Sequence, residues 1–237
     1  MVTIIGRGNV ASHFYEALKY KTEVCMVNPR TLENLPENSD YIILAVSDNS
    51  INELAERIPT SNAIIAHTSG SIPMDVLKKT GNNYGVFYPL QTFTKGLKLN
   101  YSEIPVFIEG SSNYSVSKLK DLAALFSNDI READSDKRRK LHLASVFACN
   151  FTNKLAGIAN NILRETDIDF SALLPLMKQT VDKLAYLSPE ESQTGPAVRG
   201  DTTVMEKHLM MLDKQPELQD LYKTLSSLIS KDHVSKI

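Results

Sequence analysis

The stretch Val2-Thr-Ile-Ile-Gly-Arg-Gly-Asn-Val-Ala11 decides the fold. Its continuous apolar run, Val2 to Ile5, reads as a strand covered on both faces, and Gly6 to Ala11 has the GxGxxA spacing of a tight strand-to-helix turn. Gly6 permits the turn, Gly8 lets the backbone approach a pyrophosphate, and Ala11 keeps helix and strand close. The helix opening at Asn9 and Val10 presents unpaired N–H groups to phosphate oxygens. Gly6, Arg7, Gly8, Asn9 and Val10 are therefore the candidate cradle of a dinucleotide.

Working outward, five more β-rich runs follow: Glu23–Val27, Tyr41–Val46, Ala63–Ala66, Tyr84–Tyr88 and Pro105–Ile108. Helical stretches lie between the earlier runs, at Val10–Tyr20, Ser50–Arg57 and Met74–Lys79. Strand and helix alternating in this way predict an α/β fold with a Rossmann-type, mostly parallel sheet. After a helix at Ser115–Ser127 and a short link at Asp129–Ala133, no convincing strand follows. Helices are expected at Lys137–Thr166, Phe170–Leu187, Thr202–Leu212 and Pro216–Ile229, with a frayed tail from Lys231. The expected organisation is a dinucleotide-binding domain over residues 1–130 and an all-helical domain over residues 131–237.

Composition narrows the function. With 237 residues, 42% hydrophobic and 23% charged, the chain is an ordinary globular protein of one large or two modest domains. The 26 basic and 28 acidic side chains leave a formal charge of −2, which gives no footprint for nucleic acid or an acidic membrane. A small-molecule substrate is the expected partner. Cys25 and Cys149 lack the spacing of a metal site or a disulfide framework, and no apolar run is long enough to span a bilayer. A metal-free cytoplasmic protein is expected.

The end of the second strand bears on the cofactor. An NAD site commonly carries a carboxylate there for the ribose 2′-hydroxyl, whereas this chain has Asn28-Pro29-Arg30. Asn28 can hydrogen-bond the ribose, and Arg30, with Arg7, can meet a 2′-phosphate; NADP is favoured over NAD. Ala45, Val46 and Ser47 end the third strand and Ser69 follows the fourth, at the sheet edge where open α/β folds bind ligands. Asp48, Ser50, Ser69 and Ser71 read equally well as helix caps.

In the second half, a 100° projection of residues 141–163 groups Ala144, Ala148, Phe151, Leu155, Ile158, Ala159 and Ile162 on one face. His142, Ser145, Cys149, Asn153 and Gly157 lie opposite, beside Asn150. That second face is polar but almost uncharged, which fits either close helix packing or a cleft lined by His142, Asn150 and Asn153. Between two later helices, Gln193–Asp201 is aperiodic, and its Arg199 can anchor a carboxylate or phosphate.

Six stretches together carry a family resemblance: Gly6–Ala11, Ile43–Asp48, His67-Thr-Ser-Gly-Ser71, Pro89-Leu-Gln-Thr-Phe93, Leu141–Asn150 and Thr194–Asp201. The chain resembles the bacterial oxidoreductases that join a Rossmann-like domain to a C-terminal domain of unknown function 2520. That family is itself similar to pyrroline-5-carboxylate reductase, ketopantoate reductase and the 6-phosphogluconate dehydrogenase C-terminal-like superfamily. The resemblance implies a nicotinamide cofactor and a helical dimerisation domain, hence a homodimer. Two positions depart from the pattern. Tyr88 replaces the histidine that commonly precedes Pro89, and Lys154 is followed four residues on by Ile158 rather than the asparagine of the β-hydroxyacid dehydrogenases.

The expected activity is NADP-dependent hydride transfer to or from a small carbonyl, imine or hydroxy compound in an interdomain cleft. His142, Asn150 and His67 are the candidate catalytic residues, and Gln91, Asn153 and Arg199 the candidate substrate ligands. The alternatives are a non-catalytic NADP-binding or sensing protein and a deazaflavin-coupled NADP reductase.

Overall fold

The computed structural model describes residues 1–234, with side chains through Lys231. The chain forms two compact units, Met1–Leu155 and Ala156–Ile237.

The first unit is built on one sheet. β1 (Val2–Ile5) lies between β2 (Val24–Val27) and β3 (Tyr41–Leu44), and β4 (Ile64–His67) and β5 (Tyr84–Pro89) continue the parallel array. β6 (Val106–Gly110) pairs antiparallel with β5, and β7 (Ile130–Glu132) runs parallel to β6. The strand order is β2-β1-β3-β4-β5-β6-β7. The seventh strand forms where the sequence suggests a link, because Ile130-Arg-Glu132 is too short and too polar to show a pattern.

The central strands read as unbroken apolar runs because alternate residues enter two different cores. Val2, Ile4, Ile43, Ile64 and Ala66 pack on one face with Phe14, Leu18 and Leu119, whereas Ile5, Ile42, Leu44 and Ile65 pack on the other with Ile51, Leu54 and Leu77. α1 (Asn9–Leu18) buries Ala11, Phe14, Ala17 and Leu18 on one stripe, and α3 (Asn113–Ala124) covers the same sheet face with Leu119 and Leu122. Phe14, Phe87 and Phe126 meet edge to face, at centroid distances of 5.1 to 6.1 Å. α2 (Asp48–Arg57) covers the opposite face through Ile51, Leu54 and Ala55. The Met74–Thr80 segment is a 3-10 helix rather than an α-helix.

The long helix expected at Lys137–Thr166 is interrupted. α4 (Ser135–Ser145) passes through a π turn at Val146–Phe151 into α5 (Thr152–Leu163). Wider hydrogen bonding rotates α5 relative to α4, so a face drawn by a uniform 100° projection does not run unbroken through the turn. Leu143, Phe147, Phe151 and Leu155 emerge as a run of exposed large apolar side chains.

In the second unit, α6 (Leu174–Asp182), α7 (Pro189–Ser192), α8 (Pro196–Arg199), α9 (Thr202–Met211) and α10 (Pro216–Val234) follow in sequence. Asp201 caps α9 by accepting from the Val204 N–H, at 3.1 Å. Ser230 on α10 donates to the Ala197 carbonyl of α8, at 3.1 Å, and His208 on α9 shares a 2.9 Å hydrogen bond with Tyr222 on α10. The tail expected to fray from Lys231 is helical through Val234, and its last three residues lie outside the described part.

Candidate functional site

The Gly-rich turn lies at the carboxyl edge of the sheet. Gly6 has φ +154°, and a β-carbon on it would stand 2.2 Å from the Ala45 carbonyl oxygen, so β1 and β3 approach there as only glycine allows. Gly8 precedes α1 without a side-chain cap, and a β-carbon on it would meet nothing within 4 Å. The first N–H groups of α1 thus face open space with the helix's partial positive charge behind them.

That space is a cleft of about 460 Å³. Arg7, Gly8, Asn9 and Val10 line one end, Pro29 and Arg30 the β2 side, and Ala45, Val46 and Ser47 the β3 side. Ser50, Glu53, Leu54 and Arg57 of α2 complete it. Among the described residues, neither the Arg7 nor the Arg30 guanidinium has an ion-pair or hydrogen-bond partner. Two unpaired cations beside a helix N-terminus suit a ligand with more than one phosphate.

Asn28 and Asn9 use part of their side chains internally. Asn28 Oδ1 accepts from the Arg30 N–H at 3.1 Å, closing a local turn, and Asn9 Nδ2 donates to the Phe93 carbonyl at 2.9 Å. His13, buried on α1, bonds the Thr94 carbonyl and the Tyr101 hydroxyl, each at 2.9 Å, and fastens the same loop.

A second polar cluster follows β4 and β5. The Tyr88 hydroxyl and His142 Nδ1 share a 3.2 Å hydrogen bond, and a β-carbon on Gly70 would come within 2.8 Å of both rings. The glycine of His67-Thr-Ser-Gly-Ser71 is therefore set by this Tyr–His pair. Burial, ahead of the opposing Arg138 charge, pushes the Tyr88 phenol above its ordinary pKa. Ser69 Oγ accepts from the N–H groups of Ser71 and Ile72, at 3.1 and 3.0 Å, which makes it the organiser of its own turn. Ser71 in turn donates to Asp48 in the first turn of α2.

Arg138 and Glu109 fix the helix that delivers His142. The Arg138 side chain is 0% exposed and pairs with Glu109, which is 15% exposed, while donating to the Ile72 carbonyl at 2.6 Å. Glu109 also accepts from the Ser135 N–H at 3.0 Å, at the start of α4. His142 follows Arg138 by four residues, on the same side of the helix. In the sequence Tyr88 reads only as a missing imidazole, and Arg57, Glu109 and Arg138 carry no signal, because nothing in local pattern shows which charges become buried or paired.

His67 lies beneath this cluster, fully buried. Its Nδ1 accepts from the Ser69 N–H at 3.2 Å, and its Nε2 has no hydrogen-bond partner among the described residues. Burial first, then the Arg138 charge, pulls its pKa down from 6.5 to about 4, so at neutral pH the ring is uncharged. As pH falls below 6.5 the unfolded chain takes up a proton that the folded ring refuses until about 4. Stability is thus full above 6.5, and over that window this group should remove roughly 3 kcal/mol of it. Urea midpoints followed across the window should fall more steeply for the wild type than for His67→Asn; parallel curves would refute the assignment.

The other expected site residues lie on separate elements. Gln91 is exposed after β5, with Oε1 turned to the N–H of Thr92, at 2.7 Å. Asn150 sits in the π turn and Asn153 at the start of α5, both exposed. Arg199 ends α8 in the second unit and is exposed. Cys25 and Cys149 are free, and among the described residues no helix is long and apolar enough to cross a membrane.

Sheet and glycine turn together define a Rossmann-type protein with a cleft at the N-terminus of α1. The chain belongs to the family described as Domain of unknown function (DUF2520), whose model matches residues 104–229. A Bacteroides fragilis structure named "putative NADP oxidoreductase" is 36% identical, with 97% of each chain covered and a TM-score of 0.90. A Thermotoga maritima protein is 23% identical over 100% of this chain and 99% of the other, with a TM-score of 0.74. An imine reductase from Myxococcus stipitatus in complex with NADP+ shares the fold at 13% identity, covering 98% and 93%, with a TM-score of 0.67. No curated protein matches the sequence.

Proposed function

We propose that the protein is an NADP-dependent oxidoreductase that moves hydride between the nicotinamide ring and a small carbonyl, imine or hydroxy compound. The observation that carries this reading is the cleft at the N-terminus of α1 with two unpaired guanidinium groups, Arg7 and Arg30, on its wall. The 36% identity to a structure named "putative NADP oxidoreductase" supports it.

The nicotinamide, when bound, supplies or accepts the hydride. The N–H groups of Asn9 and Val10 receive the pyrophosphate, Arg30 and Arg7 meet the 2′-phosphate, and Asn28 Nδ2 remains available to the ribose. Ala45, Val46 and Ser47 keep the β3 edge low enough for a ribose. Burial keeps the Tyr88 phenol protonated, and its hydroxyl shares a hydrogen bond with His142 Nδ1; with Tyr88 as the donor, the ring proton of His142 stands on Nε2, where it can be given to a substrate. His67, neutral and sealed, holds the Ser69 turn rather than supplying that proton. Gln91, Asn150, Asn153 and Arg199 are the polar groups left to orient a substrate, with Arg199 suited to a carboxylate or phosphate. A homodimer is part of the same reading, supported by the exposed apolar run Leu143, Phe147, Phe151 and Leu155, and so is a cytoplasmic setting, in keeping with two free cysteines.

The chain has no tryptophan, so nicotinamide fluorescence reports binding directly. NADPH is expected to bind at least about tenfold tighter than NADH, a gap equal to one charge-assisted hydrogen bond. His142→Ala should leave that binding intact and lower turnover of a cyclic imine or ketone by about 10². Sedimentation of the same preparation should give a two-chain species. Tighter binding of NADH would sink the cofactor reading, and tight NADPH binding without turnover of carbonyls, imines or hydroxy acids would make the protein a sensor.

A further inference from the structure

The cleft carries three guanidinium groups and one carboxylate on its lining, but the three are not alike. Those of Arg7 and Arg30 have no partner among the described residues, whereas Arg57, in the last turn of α2, is engaged through both terminal nitrogens. Its Nη2 donates to the Arg30 carbonyl at 2.6 Å and its Nη1 reaches the Pro29 carbonyl at 3.5 Å. Nη1 also bonds Glu53 one turn earlier, at 3.0 Å, which fixes the guanidinium in that direction.

The segment it grips is constrained from the other side as well. The Arg30 N–H is taken by Asn28 Oδ1, and the Leu32 N–H by the Asn28 carbonyl at 2.9 Å. Pro29 has a fixed φ and restricts Asn28 before it. Leu32 has φ +54°, a left-handed conformation uncommon for residues other than glycine. With the N–H of Arg30 fixed by Asn28 and its carbonyl fixed by Arg57, the direction in which the Arg30 side chain leaves the backbone is set. Arg30 lines the cleft from this turn.

We propose that Arg57 is a positioning residue for the 2′-phosphate of NADP, acting through the backbone of Arg30 with Glu53 as its orienting counter-charge. The inference rests on the cofactor reading above. A guanidinium suits the role because its planar fork can span two successive carbonyls and a carboxylate at once, which a lysine ammonium cannot do with the same geometry. The arrangement makes 2′-phosphate selectivity a joint property of β2 and α2, although Arg57 itself would not touch the phosphate.

A double-mutant cycle tests this, with NADPH and NADH binding measured on wild type, Arg30→Ala, Arg57→Ala and the double variant. Arg57→Ala should weaken NADPH about tenfold and NADH less than about twofold. In the Arg30→Ala background, Arg57→Ala should have no further effect on NADPH, because a residue acting only through another is silent once that other is gone. Arg57→Lys should recover only part of the lost preference. Repeating the cycle with 2′,5′-ADP against 5′-AMP confines the readout to the adenosine end. Additive losses would mean that Arg57 meets the phosphate itself, and equal losses for both cofactors would reduce it to a structural staple; either overturns the proposal. A wild type that binds NADPH no better than NADH would instead fail the cofactor reading, and is distinguished by being seen before any substitution.

Discussion

Glu109→Ala is expected to destabilise the first unit by about 3–5 kcal/mol, the usual cost of stranding a buried charge. The Arg138 side chain is wholly buried and its guanidinium pairs with this carboxylate, while its Nε lacks a partner among the described residues. Removing Glu109 also takes the acceptor from the Ser135 N–H and hydroxyl at the start of α4, where helix polarity favours a negative charge. Thermal unfolding should fall by roughly 6–20 °C for a unit of this size. Glu109→Ala combined with Arg138→Met should be more stable than Glu109→Ala alone, since the second change removes the uncompensated charge. A single variant within about 1 kcal/mol of wild type would show that water or rearrangement satisfies Arg138. The functional consequence runs along α4: with its first turn loosened, His142 should lose its fixed place against Tyr88 and Gly70.

Gly6→Ala should have an effect of similar size through a different cause. The new β-carbon would lie 2.2 Å from the Ala45 carbonyl oxygen and 2.9 Å from its carbon, at a φ of +154° that side chains avoid. Overpacking of about 1–3 kcal/mol adds to backbone strain of about 1–3 kcal/mol, giving a loss of roughly 2–6 kcal/mol. Because β1 and β3 must part to accept it, the cleft wall at Ala45 and Val46 should move and NADPH affinity should fall with stability. Gly8→Ala separates the two effects, since its β-carbon meets nothing in the protein. It should fold normally and lose cofactor affinity alone. Urea unfolding and NADPH titration of both variants decide the matter, and a Gly6→Ala protein as stable as wild type would contradict the close approach.

Much of the fold and part of the site are legible in the sequence. The apolar runs at Val2, Tyr41 and Ala63 mark central strands because a sheet covered on both faces needs every side chain to be apolar. The phosphate turn is legible because its glycine spacing is a local pattern, whereas the approach of the Ala45 carbonyl that forces Gly6 is not. The unpaired state of Arg30 is suggested by the missing carboxylate after β2. β7 is not legible, since three residues with one apolar side chain carry no period. The π turn at Val146–Phe151 is equally hidden, because a change from one helical hydrogen-bond pattern to another leaves composition unchanged.

What the sequence determined by itself was the placing of the central strands along the chain, the cradle at Gly6 to Val10 and the absence of an acidic residue after β2. These depend on residues adjacent along the chain. Only the tertiary structure decided that Tyr88 meets His142, that Glu109 neutralises Arg138 and that Arg57 grips the turn of Arg30. Each joins residues 27 to 54 positions apart, and their charges and hydrogen bonds acquire meaning only when folding removes water from between them.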